Sequence, residues 1–260
     1  MSVVDPPRPG SALTDPLRVL AVSAHLGDAM FSAGATLATL SAHGHSVTHV
    51  TAFAASVAES GDRRVEDMQA AAALGLQRIV HLPFPEAERR GYDDPAGPVR
   101  ADDDAAADLR AALDALGEFD LVLAPFALGD HVDARQVRRA LGMPGGRDDP
   151  EPEARFARGG VALWRDAPQI LLGGDPPTPG DDAVVVSSDA LGRKLAACAC
   201  YATTIVPRLG GEERVRHMLL DLALTEGNRH GRPAPAETFV PAAPVVKALR
   251  RPVQARPRAV

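Results

Sequence analysis

The stretch RVLAVSAHLGDAM, from Arg18 to Met30, decides how the fold of this chain is interpreted. Its first half is a short, β-branched apolar run, which is typical of a strand buried in a parallel sheet. His25 follows this strand, and a helix is predicted to begin near Asp28 and to end at Gly44. A buried strand that turns directly into a helix is the opening unit of an α/β fold.

The same alternation continues along the chain. Strands are predicted over residues 46–54, 78–82 and 119–125, and helices over 63–75, 105–116 and 134–141. A strand pair at 161–166 and 183–187, followed by helices at 189–201 and 212–225, completes the pattern. The pattern predicts a Rossmann-like α/β fold, a mostly parallel sheet with helices on both faces, whose ligands bind beyond the carboxyl ends of the strands.

The hydrophobic content and the proline-containing ends of the chain predict one folded domain between two tails. The hydrophobic content of 45% is enough for a buried core without a metal or a disulfide. Residues 1–16 are predicted to be a flexible tail, residues 17–240 the domain, and residues 241–260 a basic, proline-containing tail. For that last tail, solvated disorder is favoured over a binding arm.

The net charge and the number of cysteines limit which partners and which cellular compartment are expected for this protein. The net charge of -6, with acidic residues spread among arginines, argues against nucleic acid as a partner. No apolar run of 18 residues occurs, and the first residues lack the features of a signal peptide, so neither membrane insertion nor export is expected. Two cysteines are too few for a disulfide framework, and a cytoplasmic location is expected. The preference for arginine over lysine indicates the codon bias of a GC-rich bacterial genome.

Two polar turns carry the candidate chemistry. The first is not a dinucleotide-binding turn, because His25 and Leu26 stand where a G-x-G-x-x-G motif needs small residues. His25 and Asp28 can instead converge as the start of a metal site. The alternative is that Asp28 only caps the helix and His25 is a core histidine. The second turn, GDHVDAR, contains His131 and Asp133, follows a later strand and opens the next helix.

Together the two turns resemble the PIG-L, or LmbE-like, family of zinc-dependent N-deacetylases, which is marked by an A-H-x-D-D turn and a later H-x-D-H turn. The segments HGHSVTHVTAFA, RRVEDMQAAAALGL, HLPFPEAERRGY, VALWRDAP and KLAACACYATT are similar to family segments in the same order, so the resemblance covers roughly residues 17–240. It implies that His25 and Asp28 match zinc ligands. It also implies that His131 polarises the substrate carbonyl or protonates the leaving amine, and that Asp133 orients a histidine.

Two departures from the family pattern affect the metal. Gly27 stands where the family has its general base, and Ala134 stands where it has the third zinc ligand; Ala29 also replaces a common glutamate. A site reduced to two ligands should bind zinc weakly. Loss of a general base costs about 10²- to 10⁴-fold in rate. A replacement ligand could come from His131, His217 or His230.

Other polar residues are candidates for substrate binding. Arg64, with Glu66, is predicted either to face the pocket or to form an ion pair on its helix. Arg90 and Tyr92 lie in a loop after the third strand, where loops shape the pocket. His43, His45 and His49 are expected at the surface.

Three functions remain open from the sequence. The first is an N-deacetylase acting on a small N-acylated amino sugar or glycoconjugate, with an impaired zinc site. The second is a repurposed enzyme of bacterial specialised metabolism that uses His131 without a metal. The third is a non-catalytic protein that binds a ligand or a partner protein.

Overall fold

Seven strands form one sheet in the computed structural model of the chain, which describes residues 15–55, 61–126, 131–143, 160–164, 182–251 and 253. The strands are β1 (Arg18–Ser23), β2 (Ser46–Thr51), β3 (Arg78–His81), β4 (Leu121–Pro125), β5 (Val161–Trp164), β6 (Asp182–Val185) and β7 (Ala236–Val240). Their order across the sheet is β3-β2-β1-β4-β5-β7-β6. Strands β1 to β5 pair in parallel, and β7 is antiparallel to both of its neighbours.

Helices cover both faces of this sheet. They are α1 (Asp28–Ala42), α2 (Gly61–Leu74), α3 (Ala105–Asp114), α4 (Val132–Ala140), α5 (Ser188–Ala199), α6 (Glu212–Arg229) and α7 (Ala243–Leu249). Short 3-10 turns lie at Ala87–Arg90 and Pro207–Leu209. The predicted Rossmann-like α/β architecture is confirmed.

Strand β1 shows why both faces are covered. Its alternate residues point to opposite sides of the sheet. Val19 and Ala21 belong to the hydrophobic cluster that contains residues of α1, α2, α5, α6 and α7. Leu20 and Val22 belong to a second cluster with residues of α3 and α4. Residues 19–23 are fully buried, as expected for a strand between two helical layers.

Two expectations about the C-terminal part are corrected. Strands β5 and β6 do not pair with each other, because β7 lies between them: Phe239 pairs with Trp164 on one side and with Asp182 on the other. Residues 243–249, expected in a solvated tail, form α7, whose Val245 and Leu249 are buried in the core. The basic residues of this segment had indicated exposure to solvent, whereas α7 packs its apolar side chains into the core.

Some expectations fall on residues that the structure does not describe. Residues 1–14 and 254–260 of the predicted tails lie outside the described residues, so the tail and domain boundaries stay predictions. The same is true of most of the loops predicted between α4 and β5 and between β5 and β6. Among the described helices, none is long and apolar enough to cross a bilayer.

Candidate active site

The two polar turns meet at the carboxyl edge of the sheet. Strands β1 and β4 are neighbours and run in parallel, so the turns that follow them lie side by side. The rings of His25 and His131 contact edge to face, with centroids 4.7 Å apart and planes at 87°. Gly129 and Asp130 of the second turn lie outside the described residues. His25 and His131, which the sequence places in two separate turns, are therefore in contact at this edge of the sheet.

Asp133 joins the two turns. Its carboxylate is fully buried, and its Oδ2 accepts a hydrogen bond of 2.7 Å from Nε2 of His25. The Oδ1 atom accepts from Nη1 of Arg90 at 2.8 Å, and the backbone N–H of Ala87 donates to Oδ2 at 3.2 Å. Burial alone would raise the pKa of Asp133, but the hydrogen bonds from His25 and Arg90 outweigh it and lower the pKa. The carboxylate is thus held ionised.

The protonation of His25 follows from its two acidic neighbours. Burial would lower its pKa, but the hydrogen bond to Asp133 and the charges of Asp28 and Asp133 raise the pKa to about 9. Asp28 accepts the backbone N–H of His25 at 2.7 Å, and its Oδ2 lies 4.0 Å from Nδ1 of His25. Burial raises the pKa of Asp28 itself. In the metal-free protein, His25 is a cation at neutral pH.

The pKa of His131 is shifted in the opposite direction from that of His25. Its Nδ1 accepts the backbone N–H of Asp133 at 3.2 Å, so this side chain caps α4. Burial and the charge of His25 lower the pKa of His131. The ring is therefore neutral, with its proton on Nε2, from which it can donate a hydrogen bond. That arrangement suits a group that polarises a carbonyl oxygen or protonates a leaving amine.

Gly27 and Ala134, the two departures that the resemblance implies, bring no polar side chain to the site in the structure. The backbone of Gly27 lies in the left-handed region, with φ of 84°, and no side chain extends from it toward His25. Ala134 is buried on α4 and offers no donor atom. His217, on α6, is exposed and its Nδ1 donates to the backbone oxygen of Glu213. His230 caps the C-terminal end of the same helix.

The fit to a zinc ion is incomplete. In the part of the chain that the structure describes, His25, His131 and Asp133 are the one group whose donor atoms lie close enough to hold a metal, within 4.8 Å of one another. Asp28, His217 and His230 are not members of it. Both oxygens of Asp133 already accept hydrogen bonds, and Nε2 of His25 is occupied by Asp133. As arranged, these residues do not form the three-ligand site that a catalytic zinc needs.

Arg90 and Tyr92 lie behind the site. Four hydrogen bonds use the guanidinium of Arg90: two to Asp103, one to Asp133 and one to the backbone oxygen of Pro85. The hydroxyl of Tyr92 donates to Asp103 at 2.8 Å, and the Tyr92 side chain is buried. Arg90 therefore supports Asp133 directly, and Tyr92 supports Asp103, which shares Arg90; the predicted contact of both residues with substrate stays a prediction.

Arg64 and Glu66 do not pair with each other. Glu66 is buried, and its two carboxylate oxygens accept the backbone N–H of Thr203 and the hydroxyl of Thr204, each at 2.6 Å. The Nε atom of Arg64 is buried, and among the described residues it has no hydrogen-bond partner. The expected ion pair on the helix is absent from this part of the chain. The substrate-binding role of Arg64 stays a prediction.

The structure also contains an inner cluster that the sequence did not indicate: Ser23, His49, Asp67, His81 and Tyr201. Asp67 accepts from Nε2 of His81 at 2.7 Å and from the hydroxyl of Tyr201, while Nε2 of His49 lies 2.9 Å from Oγ of Ser23. His45 and His49 are fully buried, so their expected surface position is wrong. Because β2 is covered on both faces, its two sides are equally buried, and the alternation of polar and apolar residues was not a guide.

Known structures share this fold. A deacetylase of the teicoplanin biosynthesis pathway superposes with a TM-score of 0.63, covering 85% of this chain and 96% of its own, at 24% identity. The A40926 pseudoaglycone deacetylase gives a TM-score of 0.61 over 86% of this chain and 96% of its own, at 25% identity. The chain therefore has the class of α/β fold that these deacetylases share.

Sequence comparison finds a family domain in part of the chain. Residues 20–142 match the family described as PIG-L: GlcNAc-PI de-N-acetylase. A 2'-N-acetylparomamine deacetylase from Streptomyces fradiae is 34% identical over 151 residues, which cover 50% of this chain and 53% of the relative. The chain thus spans about half the length of this curated relative. A PIG-L domain spans residues 20–142 of the chain, and the resemblance drawn from its two turns is confirmed.

Proposed function

We propose that this protein is a PIG-L deacetylase-like hydrolase that binds an N-acylated amino sugar or related natural product, and that its metal-dependent hydrolysis is impaired. The observation that carries this proposal is the convergence of His25, His131 and Asp133 at the carboxyl ends of β1 and β4. Relatives of similar sequence or fold include deacetylases of an acetylated aminoglycoside and of pseudoaglycone or teicoplanin pathways, which supports the substrate class.

The side chains of this site have distinct chemical roles toward an N-acyl group. His131, neutral and protonated on Nε2, donates to the acyl oxygen and can pass that proton to the leaving nitrogen. His25 provides positive charge next to it, held in place by Asp133 and, through Asp133, by Arg90. No carboxylate at residue 27 is present to activate a water molecule. Binding of the substrate is thus better supported than its rapid hydrolysis.

The decisive experiment measures metal and turnover together. Purified protein is analysed for zinc before and after dialysis against dilute zinc, and then assayed for binding and hydrolysis of 2'-N-acetylparomamine and N-acetylglucosamine. We expect well under one zinc per chain, saturable binding of an N-acetyl sugar that weakens in a His131→Ala variant, and hydrolysis that is slow or absent. One tightly held zinc with fast, chelator-sensitive hydrolysis would overturn the impairment, and failure to bind any N-acyl sugar would overturn the substrate class.

A second candidate is a metal-independent acid–base enzyme. It is favoured by the opposite pKa shifts of two touching imidazoles, raised to about 9 in His25 and lowered in His131. Neighbouring groups with divergent pKa values are a common arrangement for an acid and a base. Turnover that resists a chelator and is lost in both His25→Ala and His131→Ala variants would favour this candidate over the first.

A further inference from the structure

Ile205 lies against the turn that carries the site. A Cβ atom built on Gly27 would be 2.6 Å from Cδ1 of Ile205, and 3.5 Å from the ring of Phe31. Carbon atoms in contact are normally about 3.5–4.0 Å apart. The terminal methyl group of Ile205 therefore occupies the space that any side chain at residue 27 would need.

Glu66, on α2, fixes the position of Ile205 through hydrogen bonds to the two residues before it. Glu66 accepts from both Thr203 and Thr204, the two residues before Ile205. The backbone N–H of Ile205 donates to the carbonyl of Tyr201 at 3.2 Å, which forms a turn at the end of α5. Glu66 is buried and both of its carboxylate oxygens accept hydrogen bonds from this segment. These hydrogen bonds hold the backbone next to Ile205 in place.

Leu26 and Ile205 together form an apolar surface beside the polar site. Leu26 and Ile205 are both partly buried and pack on the main hydrophobic cluster. They lie at the turn that holds His25 and Asp28, whose side chains supply charge and hydrogen bonds. A ligand that fits such a surface has a polar part and a small apolar part, as an N-acyl group does.

We infer that Ile205 limits the size of the acyl group that this site accepts, and that Gly27 is the residue that makes room for its Cδ1 atom. This inference rests on the proposed function, because it takes the ligand to be an N-acylated amino sugar. Ile205 is a specificity-determining residue in this scheme. Glu66 is a positioning residue, since it acts on the ligand through Ile205.

The contact itself is tested first, in metal-free protein and without ligand. Ile205→Val removes only the Cδ1 methyl group, and Gly27→Ala adds only a Cβ atom. The backbone strain of alanine at positive φ is the same in both backgrounds, so a double-mutant cycle isolates the contact. Gly27→Ala should lower the melting temperature more when residue 205 is isoleucine than when it is valine, by about 2 °C or more. Equal shifts in the two backgrounds would overturn the contact.

Acyl choice is tested with glucosamine carrying N-acetyl, N-propionyl or N-butyryl groups, with calorimetric binding as the readout. The wild-type protein should prefer the acetyl compound, and Ile205→Ala should move the preference toward the butyryl compound by about tenfold. Ile205→Val should give a smaller shift in the same direction. Leu220→Ala is the matched control, since Leu220 is a partly buried side chain of the same cluster on α6, and it should leave the preference unchanged.

The outcomes separate the two proposals. Binding of the acyl series with the same preference in all variants would overturn the role of Ile205 and leave the proposed function standing. Failure of every acyl sugar to bind would overturn the proposed function, and the role in acyl choice with it. The double-mutant cycle needs no ligand, so it reports on the Gly27–Ile205 contact in either case.

Discussion

Two clusters of similar composition lie at neighbouring strands of the sheet. The site cluster places His25 and His131 around Asp133, and the inner cluster places His49 and His81 around Asp67. Both aspartates are fully buried, but the histidine side chains of the site cluster are 31% and 29% exposed, whereas those of the inner cluster are 0% and 11% exposed.

The difference separates a candidate site, which a ligand can reach, from a structural network. In the inner cluster, Tyr201 and His81 satisfy Asp67, and burial would raise the pKa of Asp67 but these hydrogen bonds lower it. Burial lowers the pKa of His49, which stays neutral inside the core. Side chains that no ligand can reach can only stabilise the fold. The composition of a His/Asp cluster therefore says less about function than its access to solvent.

The largest expected effect tests how firmly the site cluster is built. Asp133→Ala removes the fully buried carboxylate that pairs with both Arg90 and His25, and should cost about 3–5 kcal/mol of unfolding free energy. Asp102→Ala is the control, because its ion pair with Arg100 is exposed and its loss should change stability little. Chemical denaturation measures both. Equal losses would mean that burial of the Asp133–Arg90 pair is not what matters.

The second-largest expected effect is the pH dependence of stability that His25 gives to the site cluster. The pKa of His25 is raised from 6.5 to about 9 in the folded protein, so its stabilising contribution is complete below pH 6.5 and is lost as the pH rises toward 9. With a chelator present, the wild type should lose about 2–3 kcal/mol of stability over that range, after allowance for partial exposure.

A His25→Asn variant provides the control for this pH dependence. It lacks the titrating imidazole and should show a flatter stability profile between pH 6.5 and 9. An unchanged slope in the variant would assign the pH dependence to another group, and His25 would not be the cation that the site geometry indicates.

The smallest effect concerns the inner cluster. Tyr201→Phe removes the hydroxyl that donates to Asp67 and should lower the unfolding free energy by about 2 kcal/mol, because the acceptor is a buried charge. Binding of an N-acetyl sugar to the folded variant should be unchanged, as measured by calorimetry. A variant that stays stable but loses binding would show that the inner cluster serves the ligand, and the comparison of the two clusters would fail.

Local sequence patterns predicted most of the secondary structure and part of the site. Helix and strand periods depend on residues close in the chain, so β1, α1 and the turn between them were predictable. His25 and Asp28 are three residues apart, and their shared turn needed no long-range information. Strand β7 and helix α7 were not predicted, because the pairing of β7 between β5 and β6 is a contact between distant segments.

Which partners the site residues take was decided by the tertiary structure. Asp133 binds His25 across 108 residues of chain, and Glu66 holds the segment of Ile205 across 137 residues. By itself, the sequence determined that residues 27 and 134 are Gly27 and Ala134, which offer no side-chain donor atom. Only the packed fold could place Ile205 over Gly27 and direct Asp133 to Arg90 and His25, since such contacts depend on how sheet and helices bring remote residues together.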